Sequence, residues 1–241
     1  MPSLNRALIV STACLTVFLA QLGMMMYLPG LPFIVQTMKS AQNVVSLSLP
    51  LYLAGMAAPM LLWGQWAAAW GGKKLLITSL LIFSICSALL ALSTLIETFL
   101  LLRFVQGVAA SGMSVLARSI MAQSFTGNQL AKALSWLSMA FVISLGIGQY
   151  MGALLMNAAG WHATFWFLAL AALFQAGWVF RCLPDLLQTP DTSASCRHYL
   201  SLARHTPFLA RALTGGLGYG LLIAFNTAAP TIFQTVYQWS V

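Results

Sequence analysis

The chain has 241 residues, of which 60% are hydrophobic and only 6% are charged. A soluble domain carries about 25% charged residues, so this composition excludes a water-facing surface and predicts a protein embedded in the lipid bilayer. The 11 basic residues outnumber the 3 acidic ones, but they lie between apolar runs rather than along one face, which argues against a nucleic-acid partner. The sequence contains no nucleophile–base set, metal-ligand spacing or phosphate loop, so we expect no enzyme activity, no metal and no cofactor.

Seven apolar runs are long enough, or nearly so, to cross about 30 Å of hydrocarbon as helices, which takes roughly 20 residues each. They are continuously apolar, whereas the strands of a membrane barrel alternate in polarity. The first run leads into YLPGLP without a small-x-small cleavage site, so we interpret it as a retained helix. The seven runs, in chain order, are Ala7–Tyr27, Val44–Trp66, Leu75–Ile96, Thr98–Ala117, Ala133–Met156, Ala163–Phe180 and Ala212–Val236.

The distribution of lysine and arginine predicts the orientation, because the cytoplasmic segments of membrane proteins carry the excess of these residues. With the N-terminus inside, the outer segments hold Lys39 alone. The inner segments then hold nine basic residues, which are Arg6, Lys73, Lys74, Arg118, Lys132, Arg181, Arg197, Arg204 and Arg211. We therefore predict a cytoplasmic N-terminus.

The segment after the sixth run differs in composition from the rest of the chain. Residues 181–211 hold two of the three acidic residues, three prolines and four arginines, which is typical of a cytoplasmic connector. We predict a six-helix transmembrane bundle at 1–182, this connector at 183–211, and a seventh helix at 212–241 that begins an incomplete second bundle.

Arg103 is the one ionised residue within a predicted span. An arginine at the bilayer centre costs about 2.5–3.5 kcal/mol on insertion scales and usually faces protein or water. It shares one helical stripe of small or polar residues with Gln106, Ala110, Ser114 and Ala117. Two interpretations stay open: Arg103 lines a cavity, where it would suit an anionic or neutral solute better than a cation, or it snorkels to the headgroups.

Three stretches of the sequence together indicate a family: YLPGLP at 27–32, GQWAAAWGGKKL at 64–75 and RFVQG at 103–107. They resemble the drug:proton antiporters of the major facilitator superfamily, especially the bicyclomycin/chloramphenicol-resistance branch. The resemblance covers the first seven of that family's twelve helices and its central loop. It implies an all-α integral membrane protein of the bacterial inner membrane, with a major-facilitator-type N-terminal six-helix bundle and the first helix of a second, truncated bundle.

The turn between the second and third spans keeps small residues of the family signature but lacks most of its charges. Uncharged residues stand where the family has the aspartates and arginines of a cytoplasmic latch: Ala68, Ala69, Gly72 and Gln123. The resemblance implies that the gating and motif residues are Gly64, Gly71, Lys73, Lys74, Gly107, Arg118, Gly148 and Gly152.

Spans 1 and 5 also depart from the family pattern. Met25 stands where the branch commonly has an aspartate, and Gln149 stands where helix five has a proline. No aspartate or glutamate lies inside any predicted span, so this chain offers no intramembrane proton carrier. Gly148 and Gly152 are four residues apart and allow close helix approach, either as generic packing or as a specific antiporter element.

The leading prediction is an efflux carrier that moves small drugs or metabolites outward by alternating access. The candidate cavity residues are Gln21, Met25, Tyr27, Arg103, Gln106 and Asn226. Asn226 serves equally well for ligand contact or for a hydrogen bond between helices. Because half of the cavity wall is absent from seven spans, the expected partners are a small-molecule substrate and a second chain that completes the bundle.

Two alternatives remain at this point. A seven-helix receptor would match the number of spans, but its N-terminus would lie outside the cell. A truncated transporter product without activity would match both the motifs and the number of spans.

Overall fold

The computed structural model describes residues 3–183 and 206–235, with side chains described for 6–67, 69–183 and most of 206–225. Every regular element within these ranges is a helix, as the sequence predicts. The helices are α1 Ser3–Met25, a 3₁₀ helix Leu28–Gly30, α2 Leu31–Thr37, α3 Gln42–Ser46, α4 Ser48–Ala57, α5 Met60–Trp70, α6 Gly72–Leu92, α7 Ile96–Ser124, α8 Gly127–Ala159, α9 Trp161–Cys182 and α10 Thr206–Thr235.

Six stretches among the described residues are long and apolar enough to cross a membrane, and they coincide with the first six predicted spans. Helix α10 forms over most of the seventh predicted span, but the side chains of its second half lie outside the described residues. Most of the predicted connector, at 184–205, lies outside them as well. The chain divides into two compact units, Met1–Thr192 and Ser193–Val241.

The second span is a broken helix, whereas its continuous apolar sequence predicts an unbroken one. Helix α4 ends at Ala57, and α5 begins at Met60 after Pro59. Proline has no N–H to donate to the preceding turn and its ring clashes with that turn, so the helix is interrupted there. The Pro59 carbonyl still accepts from Trp63 N at 3.1 Å, so α5 resumes at once.

Helix α7 is the central element of the first unit. It packs against α1, α4, α5 and α6, and α1 in turn packs against α8 and α9. Many large apolar side chains point outward from the bundle, and Phe174 on α9 is 73% exposed. An apolar exterior of this kind fits lipid rather than water as the surrounding solvent.

Glycines bring two pairs of helices of the first unit into backbone contact, α4 with α7 and α8 with the end of α1. A Cβ atom on Gly107 of α7 would overlap the Tyr52 carbonyl oxygen of α4, and one on Gly55 of α4 would overlap the Phe104 carbonyl oxygen of α7. A Cβ atom on Gly152 of α8 would likewise overlap the Met26 carbonyl oxygen that follows α1. Small residues at such crossings let helices pack by close contact in a membrane, where burying apolar surface gives little driving force.

We expect Gly152→Ala to destabilise the protein, because the added methyl group meets the Met26 backbone rather than a flexible side chain. Forced overpacking of this kind typically costs about 1–3 kcal/mol. Thermal unfolding of the purified protein in detergent, followed by tryptophan fluorescence, measures the loss. Gly146→Ala, on the same helix, is the matched control, because a Cβ atom at Gly146 would have no neighbouring atom within 4 Å. Equal unfolding temperatures for the two variants would contradict the close approach of α1 and α8.

Candidate functional site

The candidate site is built around Arg103 and Gln106, which lie three residues apart on α7 and therefore share one face of the helix. Both side chains are 0% exposed. Arg103 therefore does not snorkel to the headgroups, which leaves the interior of the bundle as its environment. The whole stripe is buried, including Ala110, Ser114 and Ala117.

Hydrogen bonds join Arg103 to two other helices. Its Nη1 atom donates to the Gly23 carbonyl of α1 at 2.9 Å and to Gln106 Oε1 at 2.7 Å. Gln106 Nε2 then donates to Ser87 Oγ of α6 at 2.8 Å. The chain of donors and acceptors orients both the guanidinium and the amide, because each group has a defined partner.

Two tyrosine rings lie against the guanidinium. Arg103 Cζ is 3.9 Å from the ring centroid of Tyr27 and 4.7 Å from that of Tyr52. Cation–π contacts reach about 2 kcal/mol or more when the cation is desolvated, so the rings offset part of the cost of burying it. Tyr27 Oη shares a 2.8 Å hydrogen bond with Ser48 Oγ, and Tyr52 Oη donates to the Ala20 carbonyl at 2.7 Å. We call Arg103, Gln106, Tyr27, Tyr52 and Ser87 the arginine cluster.

The arginine cluster contains two members that sequence reasoning missed. Tyr52 lies in the second span and Ser87 in the third, where single polar residues in apolar runs give no positional signal. For Tyr52, a usable signal was the small residue Gly55 one turn later, which brings α4 onto the backbone of α7. No sequence feature marks Ser87, because its role depends on which face of α6 meets α7.

Met25 in span 1 and Gln149 in span 5, the two residues that depart from the family pattern there, are in contact with each other. Gln149 Nε2 of α8 approaches Met25 Sδ of α1 at 4.0 Å, a weak hydrogen bond to sulfur. Gly148 lies beside them, where a Cβ atom would be 3.5 Å from Met25 Cβ. The methionine and the glutamine thus belong to one helix crossing, so a change at either position alters the surroundings of the other.

The remaining cavity candidates are placed differently. Gln21 is buried at 2% exposure, and its Oε1 atom has no hydrogen-bond partner among the described residues. Helix α10 contains Asn226, but the side chain lies outside the described residues.

The gating candidates lie at the α5–α6 turn and on α5, α7 and α8. Gly71 joins the two helices with a φ of 86°, a left-handed conformation that favours glycine. Lys73 Nζ lies 5.8 Å from the Phe180 ring centroid, while Lys74 is exposed. Arg118 Nη1 donates to the Ser114 carbonyl at 3.0 Å, and Gly64 faces open space.

A basic groove of about 680 Å³ lies between the N-terminal parts of α1 and α8. Its polar lining includes Arg6, Gln129 and Lys132, and Arg6 Nη1 donates to Gln129 Oε1 at 3.1 Å. The groove has no residue in common with the arginine cluster. Its cations therefore serve as controls for charge effects at Arg103.

Known proteins share this arrangement of helices. The family model of the Major Facilitator Superfamily matches residues 13–241. The chain belongs to the Major Facilitator Superfamily. This membership agrees with the resemblance of the three sequence motifs and decides against a seven-helix receptor.

Curated relatives within the superfamily include drug-resistance proteins. The chain is 31% identical over 226 residues to the uncharacterized MFS-type transporter YdgK of Bacillus subtilis, covering 91% of this chain and 56% of YdgK. It is 24% identical to the bicyclomycin resistance protein homolog of Haemophilus influenzae, over 89% of this chain and 55% of that protein. It is 28% identical to the multidrug resistance protein MdtL of Escherichia coli, over 97% of this chain and 59% of MdtL. The chain thus spans little more than half the length of these relatives.

Solved structures of superfamily transporters share the fold. The crystal structure of a bacterial homolog to the human lysosomal transporter Spinster, inward-facing and unoccupied, matches with a TM-score of 0.77 and 15% identity. That match covers 100% of this chain and 58% of the homolog. The human organic anion transporter MFSD10 matches with a TM-score of 0.60 and 17% identity, over 82% of this chain and 52% of MFSD10. At these identities the likeness concerns the fold alone.

We expect Gln106→Leu to destabilise the protein, because it removes the acceptor for Arg103 Nη1 and the donor to Ser87 Oγ. Arg103 Nη1 keeps the Gly23 carbonyl and Ser87 Oγ keeps the Phe83 carbonyl, so the variant leaves one buried N–H of the guanidinium without an acceptor, which costs about 1–3 kcal/mol. Denaturation of the detergent-solubilised protein measures the change. Gln123→Leu on the same helix is the control, because Gln123 is exposed and its bond to Ser119 Oγ is long at 3.4 Å. If both variants unfolded like the parent, the hydrogen-bond chain would not contribute to stability.

Proposed function

We propose that this chain forms one wall of the solute pathway in an efflux carrier for small drugs or metabolites, working by alternating access in the bacterial inner membrane. The observation that carries this proposal is the arginine cluster. It places a desolvated, hydrogen-bonding cation on the inner face of a bundle from a transporter family. A polar group at such a depth is costly in a membrane and is characteristic of solute or ion pathways.

The names of two relatives support the direction of transport and the kind of substrate. A bicyclomycin resistance protein homolog and a multidrug resistance protein both match over most of this chain. Resistance to a drug follows when a carrier moves it out of the cell. For the opposite wall of the pathway, we propose further polypeptide, either continuous with this chain or supplied by a second one.

The candidate residues take two roles in this proposal. Gln21, Met25, Tyr27, Arg103, Gln106 and Asn226 would line the pathway. The residues that would act in gating are Gly64, Gly71, Lys73, Lys74, Gly107, Arg118, Gly148 and Gly152. The domain division into a bundle at 1–182, a connector at 183–211 and a seventh helix at 212–241 belongs to the same proposal.

Efflux is tested in Escherichia coli cells that lack their own drug pumps. The chain is expressed alone, or together with the part of MdtL that the alignment leaves unmatched, and accumulation of bicyclomycin and fluorescent drugs is measured. We expect at least twofold lower accumulation of one compound with the two-part assembly, and loss of this effect in Arg103→Leu. Lys132→Gln in the basic groove should retain the effect. Unchanged accumulation of every compound, despite both parts being present in the membrane, would refute the carrier proposal.

The cytoplasmic N-terminus is tested by labelling from outside the cell. In a background with the four native cysteines replaced, Lys39→Cys and Lys73→Cys are exposed to a membrane-impermeant maleimide in intact cells. We expect Lys39→Cys to react and Lys73→Cys to react only after the membrane is opened, because basic turns stay in the cytoplasm. The reverse pattern would invert the proposed orientation.

A further inference from the structure

Arg103 uses only part of its hydrogen-bonding capacity. Its Nη1 atom has two acceptors, whereas its Nε and Nη2 atoms are buried and have no partner among the described residues. A buried N–H without a hydrogen-bond partner costs more free energy when it belongs to a charged group than when it belongs to a neutral group. The unused atoms form one edge of the guanidinium, where two N–H bonds point in parallel.

No carboxylate of the described residues balances this charge. Only three acidic residues occur in the sequence: Glu97, Asp185 and Asp191. Glu97 lies in the first turn of α7 and is exposed, six residues before Arg103 and thus on a different face of the helix. The two aspartates lie outside the described residues.

The surroundings of the guanidinium favour an organic anion. Tyr27 and Tyr52 lie against the guanidinium, and the Phe165 ring centroid is 5.9 Å from Arg103 Cζ. Two parallel N–H bonds match the two oxygens of a carboxylate, which is the bidentate geometry that arginine forms best. Aromatic side chains nearby offer contact to an apolar group attached to that carboxylate.

We propose that the Nε–Nη2 edge of Arg103 binds the carboxylate of the transported molecule, and that the substrates are small monocarboxylates bearing an apolar group. The substrate supplies the counter-charge that the spans lack. This inference rests on the proposed carrier function, because Arg103 is enclosed here and alternating access is the step that opens the edge to solute.

Binding is tested on the purified chain in an uncharged detergent, with thermal unfolding followed by tryptophan fluorescence. Sodium benzoate is compared with benzyl alcohol, benzylammonium chloride and sodium chloride at equal ionic strength. We expect benzoate to raise the unfolding temperature by about 2–4 °C near saturation. The other three probes should produce no comparable rise.

Two variants locate the bound anion. Arg103→Lys keeps the charge but loses the paired N–H edge, so the benzoate affinity should fall at least tenfold. Gln106→Glu places a carboxylate where Gln106 Oε1 now lies 2.7 Å from Arg103 Nη1, so it should abolish the benzoate shift even if Arg103→Lys does not fold. Lys132→Gln, in the basic groove, should leave the shift unchanged.

Several results would overturn the proposal. They are an equal shift with benzyl alcohol or with chloride, a benzoate shift that survives in Gln106→Glu, or its loss in Lys132→Gln. No benzoate shift in the parent chain would overturn it as well. Because this assay measures binding without flux, it separates the two proposals. A benzoate shift together with no export of either the drugs or benzoate by the two-part assembly would refute the carrier function and leave the anion site standing.

Discussion

A buried guanidinium with no carboxylate beside it among the described residues is the constraint on which the first unit depends. Removing this charge from water is costly, and the fold offsets the cost with a backbone carbonyl, an amide oxygen and aromatic faces. These groups come from α1 and the turn that follows it, from α4 and from α7, and Ser87 of α6 accepts from the Gln106 amide, so four helices must meet at one point. Their arrangement around Arg103 therefore couples the positions of those helices, while the Nε and Nη2 atoms keep no partner among the described residues.

Close backbone contacts make this convergence sterically feasible. Gly107 and Gly55 bring α7 and α4 together beside Tyr52, and Gly152 brings α8 against the end of α1 beside Tyr27. The contact of Met25 with Gln149 lies at the latter crossing. Two departures from the family pattern, far apart in sequence, are thus neighbours in space. The polarizable thioether of Met25 can accept a weak hydrogen bond from the Gln149 amide. A packed contact between these two side chains thus stands where the family pattern has an aspartate and a proline.

The α5–α6 turn shows that shape and charge in a motif are separable. Gly71 keeps the left-handed φ that joins the helices, and Lys73 and Lys74 follow it, although the neighbouring charged positions of the family signature are occupied by Ala68, Ala69 and Gly72. The turn depends on backbone conformation, which a single glycine provides. A latch would need paired charges, because one charge without its partner is costly in a poorly solvated place.

The sequence by itself determined the lipid environment, the helical class, the six spans of the first unit and the polar stripe that Arg103 shares with Gln106, because hydropathy and helical period are local properties. It did not determine the break at Pro59, for which continuous apolarity was a misleading guide. It also left open whether Arg103 faced the headgroups or the interior. Only the tertiary structure decided that, and only it assigned Tyr52 and Ser87 to the arginine cluster. The physical reason is that a single polar residue in an apolar helix acquires a partner only when helix packing selects which faces meet.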